Sequence, residues 1–194
     1  SRSELTAAIS EIELKNIELY GFGVKSFTLS LIETYLKLSI TTHSDDIRQL
    51  IDIGKAMSLA PVFLLEGVER TLKLLSDKYY LILITKGELI DQERKINKSQ
   101  LSKYFDIIEI VSEKNSETYL KILNRHAIAK QNFIMIGNSI RSDIQPVLNI
   151  GSRAIHIPYK YTWIYEDAVE SPINEHYTLL GDISLVPSWL DKNT

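Results

Sequence analysis

The 194-residue chain contains no cysteine. That excludes disulfides, thiolate zinc sites, iron–sulfur clusters and a thiol nucleophile at once. Histidine is scarce, and the four present, His43, His126, His156 and His176, are too scattered in the sequence to form a metal-binding box. No apolar run approaches the ~20 residues a membrane-spanning helix requires, and Leu81 to Ile84 is typical of the longest. The opening Ser1-Arg2-Ser3-Glu4 lacks a charged-then-apolar signal pattern, so a soluble, cytoplasmic protein without membrane partners is expected. The excess of one sign of charge is small: 22 basic and 25 acidic residues leave a net charge of −3. Such a balance carries no electrostatic footprint for nucleic acid or an anionic membrane. What is abundant is ordinary: 44% hydrophobic and 24% charged residues suit a globular chain with a core of its own.

Several motifs are missing as well. Gly21-x-Gly23 has neither a third glycine nor a preceding strand, so there is no dinucleotide fingerprint. A Gly-x-x-x-x-Gly-Lys phosphate loop and a Gly-x-Ser-x-Gly nucleophile elbow are absent. The chain shows no repeat and no low-complexity tract.

The chain changes character near Pro61. Before it the apolar spacing is helical: Ile9, Ile12, Ile17 and Leu19 in the first twenty residues, then Phe27, Leu31, Tyr35 and Leu38, then Ile47, Leu50, Ile51 and Gly54. Gly21-Phe22-Gly23 and Thr41-Thr42-His43 break these runs, and Ser44 or Asp45 is suited to cap the third helix. After Pro61 strands and helices alternate. Helices are expected over 66–77, 91–99, 116–126 and 140–149. Strands are expected over 80–84, 107–111, 133–136 and 153–157, with a short strand near 177–180 and a final helix over 183–190. Continuous apolar strands such as Tyr80-Leu81-Ile82-Leu83-Ile84 are buried on both faces. The alternation implies right-handed crossovers and a doubly wound parallel α/β sheet. Two segments result: helical residues 1–61, and an α/β core over 62–194.

In an open parallel sheet ligands gather at the carboxyl ends of the strands. The residues there are Thr85-Lys86-Gly87 after the first strand, Lys114 after the second, and Asn138, Ser139 and Asp143 after the third. Each has a plain structural use. Thr85 suits a strand end, Lys114 a solvated loop, Asn138 a turn, and Ser139 and Asp143 a helix cap. Lys114, however, precedes a helix N-terminus, where the macrodipole disfavours a cation. Taken jointly, on successive strand ends, these residues suit an anionic ligand and a hard divalent cation. Tyr159, Tyr161, Trp163 and Tyr165 form an aromatic cluster suited either to a substrate pocket or, the favoured expectation, to packing under the tail helix.

Residues 64–158 resemble the haloacid dehalogenase superfamily of hydrolases. The stretch LILITKGE resembles its apolar strand ending in Ser/Thr, YFDIIEIVSEK resembles the approach to its lysine, and FIMIGNSIRSDI is similar to its Gly-Asp-Ser-x-x-Ser-Asp magnesium motif. The resemblance implies a Rossmann-like core with a helical cap, and a Mg²⁺-dependent phosphatase acting on a small phosphorylated molecule through an aspartyl-phosphate. It places phosphate binding on Thr85, Lys86 and Gly87, charge neutralisation on Lys114, and the metal on Asp143 and Asn138. Three departures stand out. No strand ends in the family's Asp-x-Asp nucleophile motif; Asn138 replaces the first acid of the metal motif; and Lys86 and Asn115 replace the commoner asparagine and proline. The nucleophile is therefore expected on a strand upstream of Ser1. Lys86 is expected to be exposed. The neutral Asn138 leaves a metal-free haloacid dehalogenase as the alternative, and the missing nucleophile leaves a non-catalytic binding module.

Overall fold

The computed structural model describes residues 2–163, 166, 170 and 172–194. Three helices come first: α1 (Arg2–Tyr20), α2 (Val24–Leu38) and α3 (Ser44–Leu59). The rest alternates: α4 (Val68–Ser76), β1 (Ile82–Lys86), α5 (Leu89–Ser99), β2 (Ile107–Val111), α6 (Ser116–Arg125), β3 (Ile134–Gly137), a π-helical turn (Ile140–Ile144), α7 (Gln145–Asn149), β4 (Arg153–His156), β5 (Tyr177–Leu179) and α8 (Val186–Asn193). No helix among the described residues is long and apolar enough to cross a membrane.

The chain divides into two compact units, residues 1–63 with 85–100, and residues 64–84 with 101–194. In the first, the face that α2 buries differs from the expected apolar stripe. Ser26, Ser30 and Thr34 are buried, whereas Leu38 is 53% exposed. Small side chains at i, i+4 and i+8 let neighbouring helices approach, and the hydroxyls of Ser30 and Thr34 return to the helix backbone. Ser30 donates to the Ser26 carbonyl (2.8 Å) and Thr34 to the Ser30 carbonyl (2.7 Å). On α1 the inward residues are Ile12 and Asn16, one turn apart, and Leu19 is exposed. Asn16 Nδ2 donates to Ser30 Oγ at 3.1 Å. Helix α3 starts at Ser44 behind His43, which contributes no side-chain cap. Tyr35 fastens this end instead: its hydroxyl donates to Asp46 Oδ2 (2.6 Å) and accepts from His43 N (3.1 Å).

The second unit is a doubly wound α/β core. Strands β3, β4 and β5 form a parallel set in that order, and β1 pairs with β2. Alternation along the strands feeds two cores. Met135 of β3 and Ala154 of β4 pack with Ile84, with Tyr119, Ile122 and Leu123 of α6, and with Val147 and Leu148 of α7. The intervening Ile134, Ile136 and Ile155 face the opposite way, onto Leu75 of α4 and Val186 and Leu190 of α8. Helices therefore cover both faces. Strand β1 lies two residues later than expected. Tyr80 is 59% exposed and Leu81 is occupied outside the strand, its carbonyl accepting from Asp106 N (2.9 Å).

Candidate active site

The turn after β3 assembles most of the site in the second unit. Ser139 caps it, its hydroxyl accepting from Ser142 N at 2.9 Å. The following turn is π-helical: Ile144 N reaches back to the Ser139 carbonyl at 3.1 Å. The same carbonyl also accepts from Asp143 N at 2.8 Å, which keeps Asp143 over the cap. Its Oδ2 accepts from Ser139 N at 3.1 Å. Gly137 makes the close approach possible, because a Cβ there would lie 2.3 Å from Asp143 Oδ2. Pro146 has no N–H to offer the carbonyl of Ser142, four residues earlier. The hydroxyl of Tyr119 donates to it instead, at 2.9 Å.

Lys114 meets Asp143 here. Lys114 Nζ lies 2.7 Å from Asp143 Oδ1, with the two side chains 13% and 5% exposed. The cation stands just before α6, whose first turn is capped by Asn115 accepting from Thr118 N at 2.9 Å. Pairing with a buried carboxylate compensates an otherwise unfavourable position for positive charge. Asn138 Nδ2 donates to Thr162 Oγ1 at 2.8 Å. The Asn138 carbonyl faces His156 Nε2 at 3.1 Å, and His156 Nδ1 lies 3.1 Å from the Tyr177 hydroxyl. Glu166 accepts from Ser142 Oγ at 2.5 Å and also from Ser139 Oγ. Burial, and then the negative charges of Asp143 and Glu166, push the Tyr119 phenol far above its usual range, so it remains a neutral donor.

Thr85, Lys86 and Gly87 belong to the first unit and form a local constellation there. Thr85 Oγ1 donates to Gln92 Oε1 at 2.8 Å. Gly87 has φ +146°, and a Cβ on it would meet the Gln92 amide at 2.5 Å. Lys86 is half-buried rather than exposed, with Nζ 3.9 Å from the centre of the Phe22 ring. A cation over an aromatic face retains its charge while covering apolar surface, which explains the difference from expectation. The aromatic cluster also differs. Tyr159 and Tyr161 are exposed, stacked edge-to-face at 5.6 Å instead of covered by α8, and Tyr165 lies outside the described residues.

The structure thus joins Lys114, Asp143 and the Asn138–Ser139 turn. Sequence reading misses His156, Glu166 and Tyr119. Setting the histidines aside as scattered overlooks the one that ends a strand beside Gly137. Tyr119 lies within the helix expected over 116–126, and Glu166 carries no motif. The donors at the turn, the carboxylate of Asp143 and the amide of Asn138, are hard oxygen ligands that suit Mg²⁺. No group of three or more His, Cys, Asp or Glu suited to a metal gathers among the described residues. A cation held here would keep several waters or share oxygens with a substrate.

A parallel sheet covered on both faces, with a buried Lys–Asp pair after β2 and β3, is the framework of a Rossmann-like hydrolase. The family model of haloacid dehalogenase-like hydrolases matches residues 12–157, and the chain belongs to that family. It is similar to a haloacid dehalogenase-like hydrolase from Xanthomonas campestris, 36% identical, with a TM-score of 0.84 covering 95% of this chain and 74% of that one. The human N-acylneuraminate-9-phosphatase is 26% identical over 142 residues, covering 69% of this chain and 54% of the relative. The chain spans about half the length of that curated relative. A 2-haloacid dehalogenase from Pseudomonas syringae shares the fold at 17% identity, with a TM-score of 0.63 covering 97% of this chain and 81% of that one.

Proposed function

We propose that the protein is a Mg²⁺-dependent phosphatase of small phosphate monoesters. The observation that carries this reading is the buried Lys114–Asp143 pair at 2.7 Å. A desolvated ammonium beside a carboxylate is suited to neutralising charge on a phosphoryl group held next to it. The human phosphatase relative supports the same class of substrate. Thr85 Oγ1 and the backbone N–H of Lys86 would bind phosphoryl oxygens, with Gly87 allowing the backbone to approach. Asp143 and Asn138 would hold Mg²⁺, which when bound neutralises phosphate charge. The nucleophile in this reading is an aspartate on a further strand outside these residues. β1 and β3 belong to separate hydrogen-bonded sets, yet Ile84 and Met135 share one core. A strand inserted between them would pair with both. Its carboxylate would attack phosphorus as the ester P–O bond breaks and the leaving oxygen takes a proton. Water would then hydrolyse the aspartyl-phosphate. The helical residues 1–61 would serve as the cap segment.

The amide at Asn138 favours a second reading, displacement of halide from a 2-haloacid without metal. A panel of phosphate monoesters and 2-haloacids, assayed on the intact protein with Mg²⁺ and with EDTA, separates the two. Ester hydrolysis that requires Mg²⁺ and falls about 100-fold or more in Lys114→Ala is expected. Haloacid turnover that survives EDTA, with no ester hydrolysis, would replace the first reading by the second. No turnover of either would leave a phospho-ligand binding module.

A further inference from the structure

We propose that His156 is a positioning residue that orients the Lys114–Asp143 pair through a single peptide group. It ends β4 directly opposite Gly137 in the parallel register and is 5% exposed. The bonding partners determine its tautomer. A carbonyl only accepts, so the contact of Nε2 with the Asn138 carbonyl at 3.1 Å places a proton on Nε2. In the neutral ring Nδ1 is then bare and accepts from the Tyr177 hydroxyl at 3.1 Å.

The carbonyl of Asn138 and the N–H of Ser139 belong to the same amide. His156 donates to one end of it, and the other end donates to Asp143 Oδ2 at 3.1 Å. Asp143 Oδ1 in turn receives Lys114 Nζ at 2.7 Å. A continuous chain of hydrogen bonds therefore runs from Tyr177 on β5 through His156 on β4 and the 138–139 peptide to Asp143 and Lys114. Bonds in such a chain polarise one another in a buried setting. Donation to the carbonyl makes the Ser139 N–H a stronger donor, and this holds the Asp143 carboxylate in the rotamer that leaves Oδ1 for Lys114. The side chain of His156 does not itself touch either charged group. Its role resembles that of the outer partners that orient metal-binding and catalytic groups, whose loss costs about 10- to 100-fold.

The inference rests on the phosphatase reading only for its kinetic arm. His156→Asn places an amide near the Nδ1 position but cannot reach the Asn138 carbonyl. His156→Gln extends a donor toward the Nε2 position, and Tyr177→Phe removes the proton donated to Nδ1. In the intact protein with p-nitrophenyl phosphate and Mg²⁺, His156→Asn is expected to lower kcat about 10- to 100-fold with little change in KM, and His156→Gln to recover most of it. NMR supplies a readout independent of turnover. The Ser139 amide proton moves upfield in His156→Asn and, by less, in Tyr177→Phe, and returns in His156→Gln. A Ser139 amide unmoved in Tyr177→Phe and in any folded His156→Asn protein overturns the relay. So does an equal loss of kcat in the Asn and Gln variants. If the unmodified protein hydrolyses no ester, the phosphatase reading fails and the amide shifts alone decide the relay.

Discussion

At the scale of single residues, the site depends on what is missing from a side chain as much as on what is present. Gly137 lies at the end of β3 with the Asp143 carboxylate packed where its Cβ would be, 2.3 Å from Oδ2 and 2.4 Å from the carboxyl carbon. Gly137→Ala forces that carboxylate away, and Lys114 loses its partner at 2.7 Å. Over-packing of this kind costs about 1–3 kcal/mol, and misplacement of a catalytic group by about 1 Å can cost 100-fold. The expected result is a lower Tm by calorimetry together with a loss of turnover much larger than a stability change would explain. Turnover retained at a temperature where Gly137→Ala is fully folded would show that the close approach is dispensable. Lys114 and Asp143 are legible in the sequence because they follow apolar strands within stretches that resemble family motifs, and because a lysine just before a helix N-terminus is placed against the macrodipole. His156 and Glu166 are not legible, since their significance comes from bonding a particular backbone carbonyl and two particular hydroxyls. Spacing along the chain does not encode such contacts.

At the scale of elements, apolar pattern finds the strands and helices, and local hydrogen bonding adjusts their ends. The bounds of β2, Ile107–Val111, follow from its apolar run. Those of β1 do not, because Asp106 engages Leu81, its carboxylate accepting from Leu81 N at 2.7 Å. The π-helical turn is equally hidden, since a helical period of 3.6 and a widened turn of one extra residue look alike over five residues. Strand β2 is also tied to the end of α6. Glu109, with a side chain 12% exposed, bonds His126 at 2.7 Å and Arg125 at 2.9 Å. The His126 hydrogen bond first, against an opposing effect of burial, and then Arg125, hold the Glu109 carboxyl below its ordinary value of 4.5. A depressed value in the folded state means the stabilisation is present above the unfolded value and is lost as pH falls through the folded one. Urea midpoints are therefore expected to fall below pH about 4.5, by an amount corresponding to ~1 kcal/mol, and Glu109→Gln is expected to flatten that part of the profile. An unchanged acid limb in Glu109→Gln would assign the acid sensitivity to other carboxylates.

At the scale of the molecule, the two-faced core follows directly from the alternation of apolar strands and amphipathic helices, which is why the doubly wound α/β class is readable without coordinates. The grouping of residues 85–100 with the leading helices is not readable in this way. It rests on contacts such as Val24 N donating to the buried Asp91 carboxylate at 3.3 Å, which leave no periodic trace. The core and the site are coupled at Tyr119, which is fully buried among Ile122, Leu123 and Phe133 yet donates its hydroxyl to the Ser142 carbonyl. Because burial and two nearby carboxylates raise its ionisation well above the ordinary 10.0, the folded protein keeps the proton where the unfolded chain releases it. The stabilisation is complete below pH about 10 and declines as pH rises beyond it, with a slope approaching ~1.4 kcal/mol per pH unit for one group. Tyr119→Phe removes that linkage and also the hydrogen bond to the Ser142 carbonyl, at a cost of about 0.5–1.5 kcal/mol. The expected profile is thus lower at neutral pH and shallower in alkali, with the two curves converging as pH climbs, measured by urea unfolding across the alkaline range. Parallel curves would mean that Tyr119 ionises in the folded state as readily as in the unfolded one, and that the hydroxyl does not link the core to the turn that carries Asp143.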